Sequence, residues 1–194
     1  MNNLTLIINT AVNQQFAALL SFEQLSVNSE YKIVSQKIWE EAGQESKLTL
    51  PAIHKLFKDS KCDLANLQNI IAVKGPGSFV AVRVGVIIAD ALAKNLAHVK
   101  LYALNSFEFI NVANSKNPTK YPVHLPAGGK DTFTQDNPES PIEITNSPDH
   151  TPYFLNASEY LNHLNLSELL NPKYLVEKEA LVPYYIKEPS ITLN

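Results

Sequence analysis

Short apolar runs open the chain. Leu4-Thr5-Leu6-Ile7-Ile8 is nearly continuous and ends in the polar Asn9-Thr10, which predicts a buried first strand and a turn. Gln15 to Leu20 predicts its hairpin partner. Tyr31 to Trp39 alternates imperfectly and fits a third strand, so a three-stranded meander is expected. The period then changes. Leu50, Ile53 and Phe57 recur at helical spacing with Ala52 and Leu56 beside them, which predicts a helix over Ser46 to Lys58. Pro51 falls near its start, where a missing N–H costs little. Asn69 to Val73 reads as a buried strand and Lys74 to Ser78 as a turn. Phe79 to Asn95 reads as a long helix, Val99 to Leu104 as another strand and Ser106 to Ala113 as a short helix.

A break follows. Prolines recur from Pro118 to Pro152 and the helical period is lost, which predicts loops and short edge strands. Asn156 to Leu170 predicts one more helix, capped near Asn156 or Ser158 and stopped by Asn171-Pro172. The apolar tail Leu181 to Ile186 should pack rather than fray.

Composition narrows the classes. The 194 residues are 45% hydrophobic and 18% charged, which suits a folded α/β chain and excludes collagen-like or disordered classes. The formal net charge is −3, and Arg83 is the sole arginine, so independent nucleic-acid binding is not expected. One cysteine, Cys62, excludes an internal disulfide and a multi-cysteine metal site. The opening residues lack a basic leader, and the Val80 to Leu96 run is interrupted by Arg83, Asp90 and Lys94. The expectation is a cytoplasmic protein without a membrane span.

The Phe79–Asn95 helix stands out. Arg83, Asp90 and Lys94 share one narrow stripe, and Asp90 reaches Lys94 at i,i+4, a pair worth about 0.2–0.5 kcal/mol. Nearly every other position is small or apolar. Ala81, Gly85, Ala89 and Ala93 form a ridge of small side chains along which a second helix could approach closely. Two readings stay open. Either the helix is core, held between a sheet and the Ser46–Lys58 helix, or one side of that helix pair faces another polypeptide. On the second reading, Ala89→Glu weakens association without unfolding the chain.

Gly75-Pro76-Gly77-Ser78, between strand and helix, also has two readings. A phosphate cradle uses glycines for close backbone approach and free N–H groups for the anion. A tight turn uses Pro76 to set φ, Gly77 for positive φ and Ser78 to cap the helix. No Walker lysine follows, and the Gly-x-Gly-x-x-Gly pattern is incomplete.

Gly75-Pro76-Gly77-Ser78-Phe79, with Arg83 and Gly85, resembles the Gly-Pro-Gly-Ser-Phe-Thr-Gly-Leu-Arg-Ile-Gly signature of the TsaB (YeaZ-like) family. Asn9-Thr10 is similar to the family's Asp-Thr, and Glu45-Ser46 through Leu50-Pro51 and Ile53 to its His-Ser…Leu-Pro-x-Ile helix. Pro183 to Lys187 is similar to its Pro-x-Tyr-Leu-Arg ending. The resemblance covers about residues 4–113 and the last dozen. It implies an actin-like ATPase (ASKHA, RNase H-like) α/β fold in two lobes with mixed sheets flanked by helices. Residues 1–104 would form the lobe with the glycine loop, and 105–194 a smaller, divergent lobe.

The resemblance further implies a non-catalytic subunit for making N6-threonylcarbamoyladenosine at tRNA position 37. Its partners would be a TsaD-like catalytic paralog, a TsaE-like ATPase and, when alone, a second copy. The partner-binding residues would be Gly75, Pro76, Gly77, Ser78, Phe79, Arg83, Gly85, Ala89, Ile53 and Leu56, with Arg83 fixing orientation by ion pairing. No catalytic, cofactor or metal residue is assigned. Val80-Ala81 replaces the family's Thr-Gly, Asn9 replaces an aspartate, and Pro122 to Lys130 replaces a central Asp-Ala-Arg strand. The alternative is a kinase-like enzyme binding a nucleotide or small molecule at Gly75–Ser78 and Asn9–Thr10.

Other chemistry lacks its residues. No two of His54, His98, His124, His150 and His163 lie within three to five positions, as a histidine metal motif would require. Gly77-Ser78 is not in a Gly-x-Ser-x-Gly elbow. Glu40-Glu41 reads as a solvated pair and Cys62 as an ordinary thiol. Intrinsic ATP hydrolysis is not expected.

Overall fold

The computed structural model describes residues 3–22, 30–40, 43–113, 119–128, 131–146, 156–177 and 180–186. Glu41, Lys130, His150 and Lys187, named above, lie outside them. Strands β1 (Asn3–Asn9), β2 (Gln15–Phe22) and β3 (Tyr31–Trp39) form the expected antiparallel meander. On the other side of β1, β4 (Leu67–Val73) and β5 (Lys100–Leu104) add parallel strands, giving the order β3-β2-β1-β4-β5. The central strand is covered on both faces, so its sequence does not alternate. Leu4, Leu6 and Ile8 join one apolar cluster with Ile53, Leu56 and Ala89, while Ile7 joins the other with Phe109 and Phe133.

Helix α1 (Glu45–Ser60) and α2 (Phe79–Asn95) pack against the sheet and each other, and α3 (Ser106–Ala113) follows β5. The buried stripe of α1 is Glu45, Thr49, Ile53 and Leu56. Leu50, expected on the inner face, is 54% exposed because it sits off that stripe. After α3 come β6 (Val123–Gly128), β7 (Asp131–Gln135) and β8 (Glu143–Thr145), a three-stranded antiparallel sheet. Pro126 lies on its edge strand β6, where a missing donor is tolerated.

The single helix expected over Asn156 to Leu170 is instead two, α4 (Ala157–Asn162) and α5 (Leu166–Leu169). Each starts on its own asparagine: Asn156 Oδ1 accepts the Glu159 N–H, and Asn165 Oδ1 accepts the Glu168 N–H. A side chain that satisfies free N–H groups restarts a helix rather than extending one.

One apolar cluster runs through both halves of the chain, joining Phe16 and Val82 to Phe133, Leu161 and Leu166. A polar tie accompanies it. Tyr31 Oη donates to Leu161 O at 2.7 Å and accepts the Leu164 N–H at 2.8 Å. The tail packs only in part: Leu181 and Ile186 lie partly buried against the core and the Tyr184 N–H donates to Lys74 O at 2.7 Å, whereas Val182, Tyr184 and Tyr185 are exposed.

Candidate functional site

The small residues of α2 point inward. Ala81 and Ala89 are fully buried, and Gly85 is buried with them. Ala81 O accepts a hydrogen bond from Thr10 Oγ1 at 2.7 Å. A Cβ on Gly85 would collide with that same Oγ1. Ala89 shares its cluster with Ile53 (3% exposed) and Leu56 (fully buried) of α1. The close approach that a small-residue ridge permits is therefore used inside the chain, by α1 and the β1–β2 turn. Gly85, Ala89, Ile53 and Leu56, expected to touch a partner, are therefore buried against the chain's own elements and are not on its surface.

The opposite side of α2 is open. Val80 is 55% exposed and Ile87 57% exposed. Ala91 is exposed too, and Val84 is half-buried between them. Positions 80, 84, 87 and 91 fall on one helical stripe. Arg83 and Lys94 border it. Arg83 does not pair with a carboxylate among the described residues; its guanidinium lies over the Phe79 ring at 4.4 Å. Tyr185 stacks on that ring at 4.7 Å. Lys94 pairs with Asp90 at 2.7 Å, as the spacing predicts. Asp90 also accepts the Leu181 N–H at 3.1 Å. Burial opposes the Asp90 charge, but hydrogen bonds from Lys94 and the Leu181 amide outweigh it and hold the carboxyl below its ordinary pKa.

The glycine loop serves packing. Gly75, not Gly77, has the positive φ, at 96°, and a Cβ there would lie 2.8 Å from Tyr184 O. A Cβ on Gly77 would collide with Ala11 O. Ser78 makes no side-chain cap bond, contrary to the tight-turn reading. Instead the loop is held from α3, where Ser106 Oγ donates to Pro76 O at 2.6 Å. The need for glycine is thus explained by the chain's own backbone, with no phosphate invoked. Asn9 is buried and its Oδ1 accepts the Ala11 N–H at 3.1 Å, so it shapes the turn that Gly77 packs on.

Pro76, Gly77, Ser78, Phe79 and Val80 also form one wall of a cleft of about 640 Å³. The turn from Thr10 to Asn13, Gln15, Glu40, Gly43, Glu45, the β6–β7 residues Pro126, Ala127 and Phe133, and the tail residues Tyr184 to Ile186 complete it. Among the described residues no group of three or more His, Cys, Asp or Glu is placed to hold a metal ion. No helix among them is long and apolar enough to cross a membrane.

The structure therefore brings Pro76, Gly77, Ser78 and Phe79 together at the cleft, keeps Gly75 buried next to them in the chain, and leaves Arg83 on the exposed face. Sequence reasoning missed Val80 and Ile87. Their signal was available in the helical wheel, since both lie opposite the small residues. It also missed Glu45 and Tyr185 as wall residues, which only chain folding brings to the loop.

Comparisons with known proteins bear on the family and the fold. A family profile described as TsaD, tRNA N6-adenosine threonylcarbamoyltransferase, matches residues 35–134. The chain is 40% identical over 70 residues to the tRNA threonylcarbamoyladenosine biosynthesis protein TsaB of Bacillus subtilis (strain 168). That match spans 35% of this chain and 29% of the relative. Two solved structures from Pseudomonas aeruginosa align over 95% of this chain and 100% of theirs. One is described as similar to the peptidase YeaZ, with TM-score 0.61, and the other as YeaZ, with TM-score 0.60; both are 14% identical. They share the fold.

Proposed function

The chain belongs to the TsaD (tRNA N6-adenosine threonylcarbamoyltransferase) family as a TsaB/YeaZ-like member with the actin-like, RNase H-like fold, and from this we propose that it is a non-catalytic partner subunit in making N6-threonylcarbamoyladenosine on tRNA. Its task is to bind and support a TsaD-like catalytic subunit. Residues 1–104 form the lobe that presents the contact face, and 105–194 the smaller divergent lobe. A TsaE-like ATPase joins the assembly in the cytoplasm, and a second copy of the chain takes the same face when the partner is absent.

One observation carries this reading: the uncovered apolar stripe Val80–Val84–Ile87–Ala91 on a helix whose other sides are packed. Exposed aliphatic residues set side by side and rimmed by charge mark an interaction surface. The Arg83–Phe79–Tyr185 stack at its end supplies the aromatic and arginine character of an interface anchor. A kinase-like alternative has less support, because the glycines serve the chain's own packing and Asn9 has no carboxylate.

Ile87→Glu tests the proposal. The side chain is 57% exposed, so the change should leave folding stability within about 0.5 kcal/mol. Co-purification of a TsaD-like partner should fall at least tenfold, and modified adenosine at tRNA position 37 should drop with it. Unchanged partner recovery by a folded variant overturns the assignment.

A further inference from the structure

We propose that the cleft beside the glycine loop binds an organic cation, an ammonium or guanidinium on an apolar stem, through the buried carboxylate of Glu45. The cleft of about 640 Å³ is within the range of small-ligand sites, about 300–1,000 Å³. Its charged lining residues are both acidic, Glu40 and Glu45; no lysine, arginine or histidine lines it among the described residues. Much of the remaining wall is apolar or aromatic, including Val12, Phe133 and Tyr184. A concave apolar site carrying one sign of charge concentrates the potential of that sign. The side-chain charge of the cleft therefore favours cations.

Glu45 supplies the second, independent observation. It is 2% exposed. Its Oε1 is satisfied twice, by Gln15 Nε2 and by the Gly43 N–H, each at 3.1 Å. Its Oε2 is buried with no hydrogen-bond partner among the described residues. Burying a carboxylate oxygen unpaired is costly, and such an atom in a folded chain calls for an explanation. The first turn of α1 favours the negative charge but leaves Oε2 without a donor. Oε2 has almost no accessible surface as the side chain lies, so a cation entering the cleft supplies that donor by drawing the carboxylate toward it into a charge-assisted hydrogen bond, while its stem covers the apolar wall. Gln15 in turn accepts from Trp39 Nε1 at 2.6 Å, so the carboxylate is fixed from two strands.

The cleft shares Phe79, Val80 and Tyr185 with the α2 contact face, but the two proposals are tested separately. The cation test uses the isolated full chain, whereas the contact face is tested by partner recovery. Thermal unfolding is followed with n-butylguanidinium and with its neutral isostere n-butylurea. The cation at ten times its Kd should raise Tm by about 3–6 °C, the urea should not, and Glu45→Gln should abolish the shift. If Glu45→Gln fails to fold, the cation–urea contrast on the unaltered chain still decides. Agmatine and N-acetyl-arginine amide then identify the source: a response to the blocked amide marks a basic side chain of a polypeptide, and a response to agmatine alone marks a free amine. No shift with any cation at millimolar concentration, an equal shift with butylurea, retention of the shift in a folded Glu45→Gln, or a larger shift with inorganic phosphate overturns the proposal.

Discussion

Single residues hold the junction between the first strand, the glycine loop and α2. Gly85 is the sharpest case. Alanine there gains helix propensity of about 1 kcal/mol. Its Cβ would nevertheless collide with Thr10 Oγ1, which is buried and tied to Ala81 O. A pinned neighbour does not yield, so steric cost wins. Gly85→Ala should destabilise the chain by about 1–3 kcal/mol in urea denaturation, and a neutral or stabilising result would contradict the packing described. Asp90 is a second such residue. Its lowered pKa means the folded state favours the carboxylate, so this contribution is complete above the ordinary aspartate range and lost as pH falls through the lowered value. The protection factor of the Leu181 amide, taken against its intrinsic exchange rate at each pH, should be lower in acid than at neutral pH. Asp90→Asn should show the lower protection factor already at pH 7, and wild-type protection in that variant would contradict the tether.

Elements decide which side of α2 stays uncovered. Periodicity alone placed its ends well: Phe79 to Asn95 is helical as the apolar run predicts. The helical wheel also separates the small residues from Val80 and Ile87. It does not say which side the chain itself covers, because that depends on where α1 and Thr10 come to rest. Small residues are compatible with a close partner helix and with a close internal one. Here the internal contact prevails, and the test residue changes accordingly. Ala89 is fully buried against the Ile53 and Leu56 cluster. Ala89→Glu should therefore cost more than about 3 kcal/mol by burying an unpaired charge, seen as loss of the cooperative thermal transition. If Ala89→Glu folds with an unchanged Tm, the inward orientation of that side is wrong.

At the level of the whole molecule, the second half of the chain completes the core of the first. Tyr31 spans them, with its hydroxyl bonded to both Leu161 O and the Leu164 N–H. Burial raises its pKa against the lowering effect of the Leu164 amide. A phenol with a raised pKa stabilises the fold below its ordinary range and loses that contribution as pH rises through the higher value. Tyr31→Phe should cost about 1–3 kcal/mol by leaving the Leu164 N–H unsatisfied, and should flatten the alkaline fall in stability. An unchanged denaturation midpoint would show that the tie contributes nothing. The sequence by itself determined the meander, α1, β4, α2, β5 and α3, because those segments carry strong local periods and clear turn residues. It also marked the glycine loop, since glycine and proline restrict or release φ wherever they occur. Only the tertiary structure decided that Gly75 and Gly77 answer to Tyr184 and Ala11, that Glu45 lines a cleft, and that Val80 and Ile87 stay uncovered. Each of those facts depends on residues distant in the chain meeting in space, and local periodicity holds no information about such meetings.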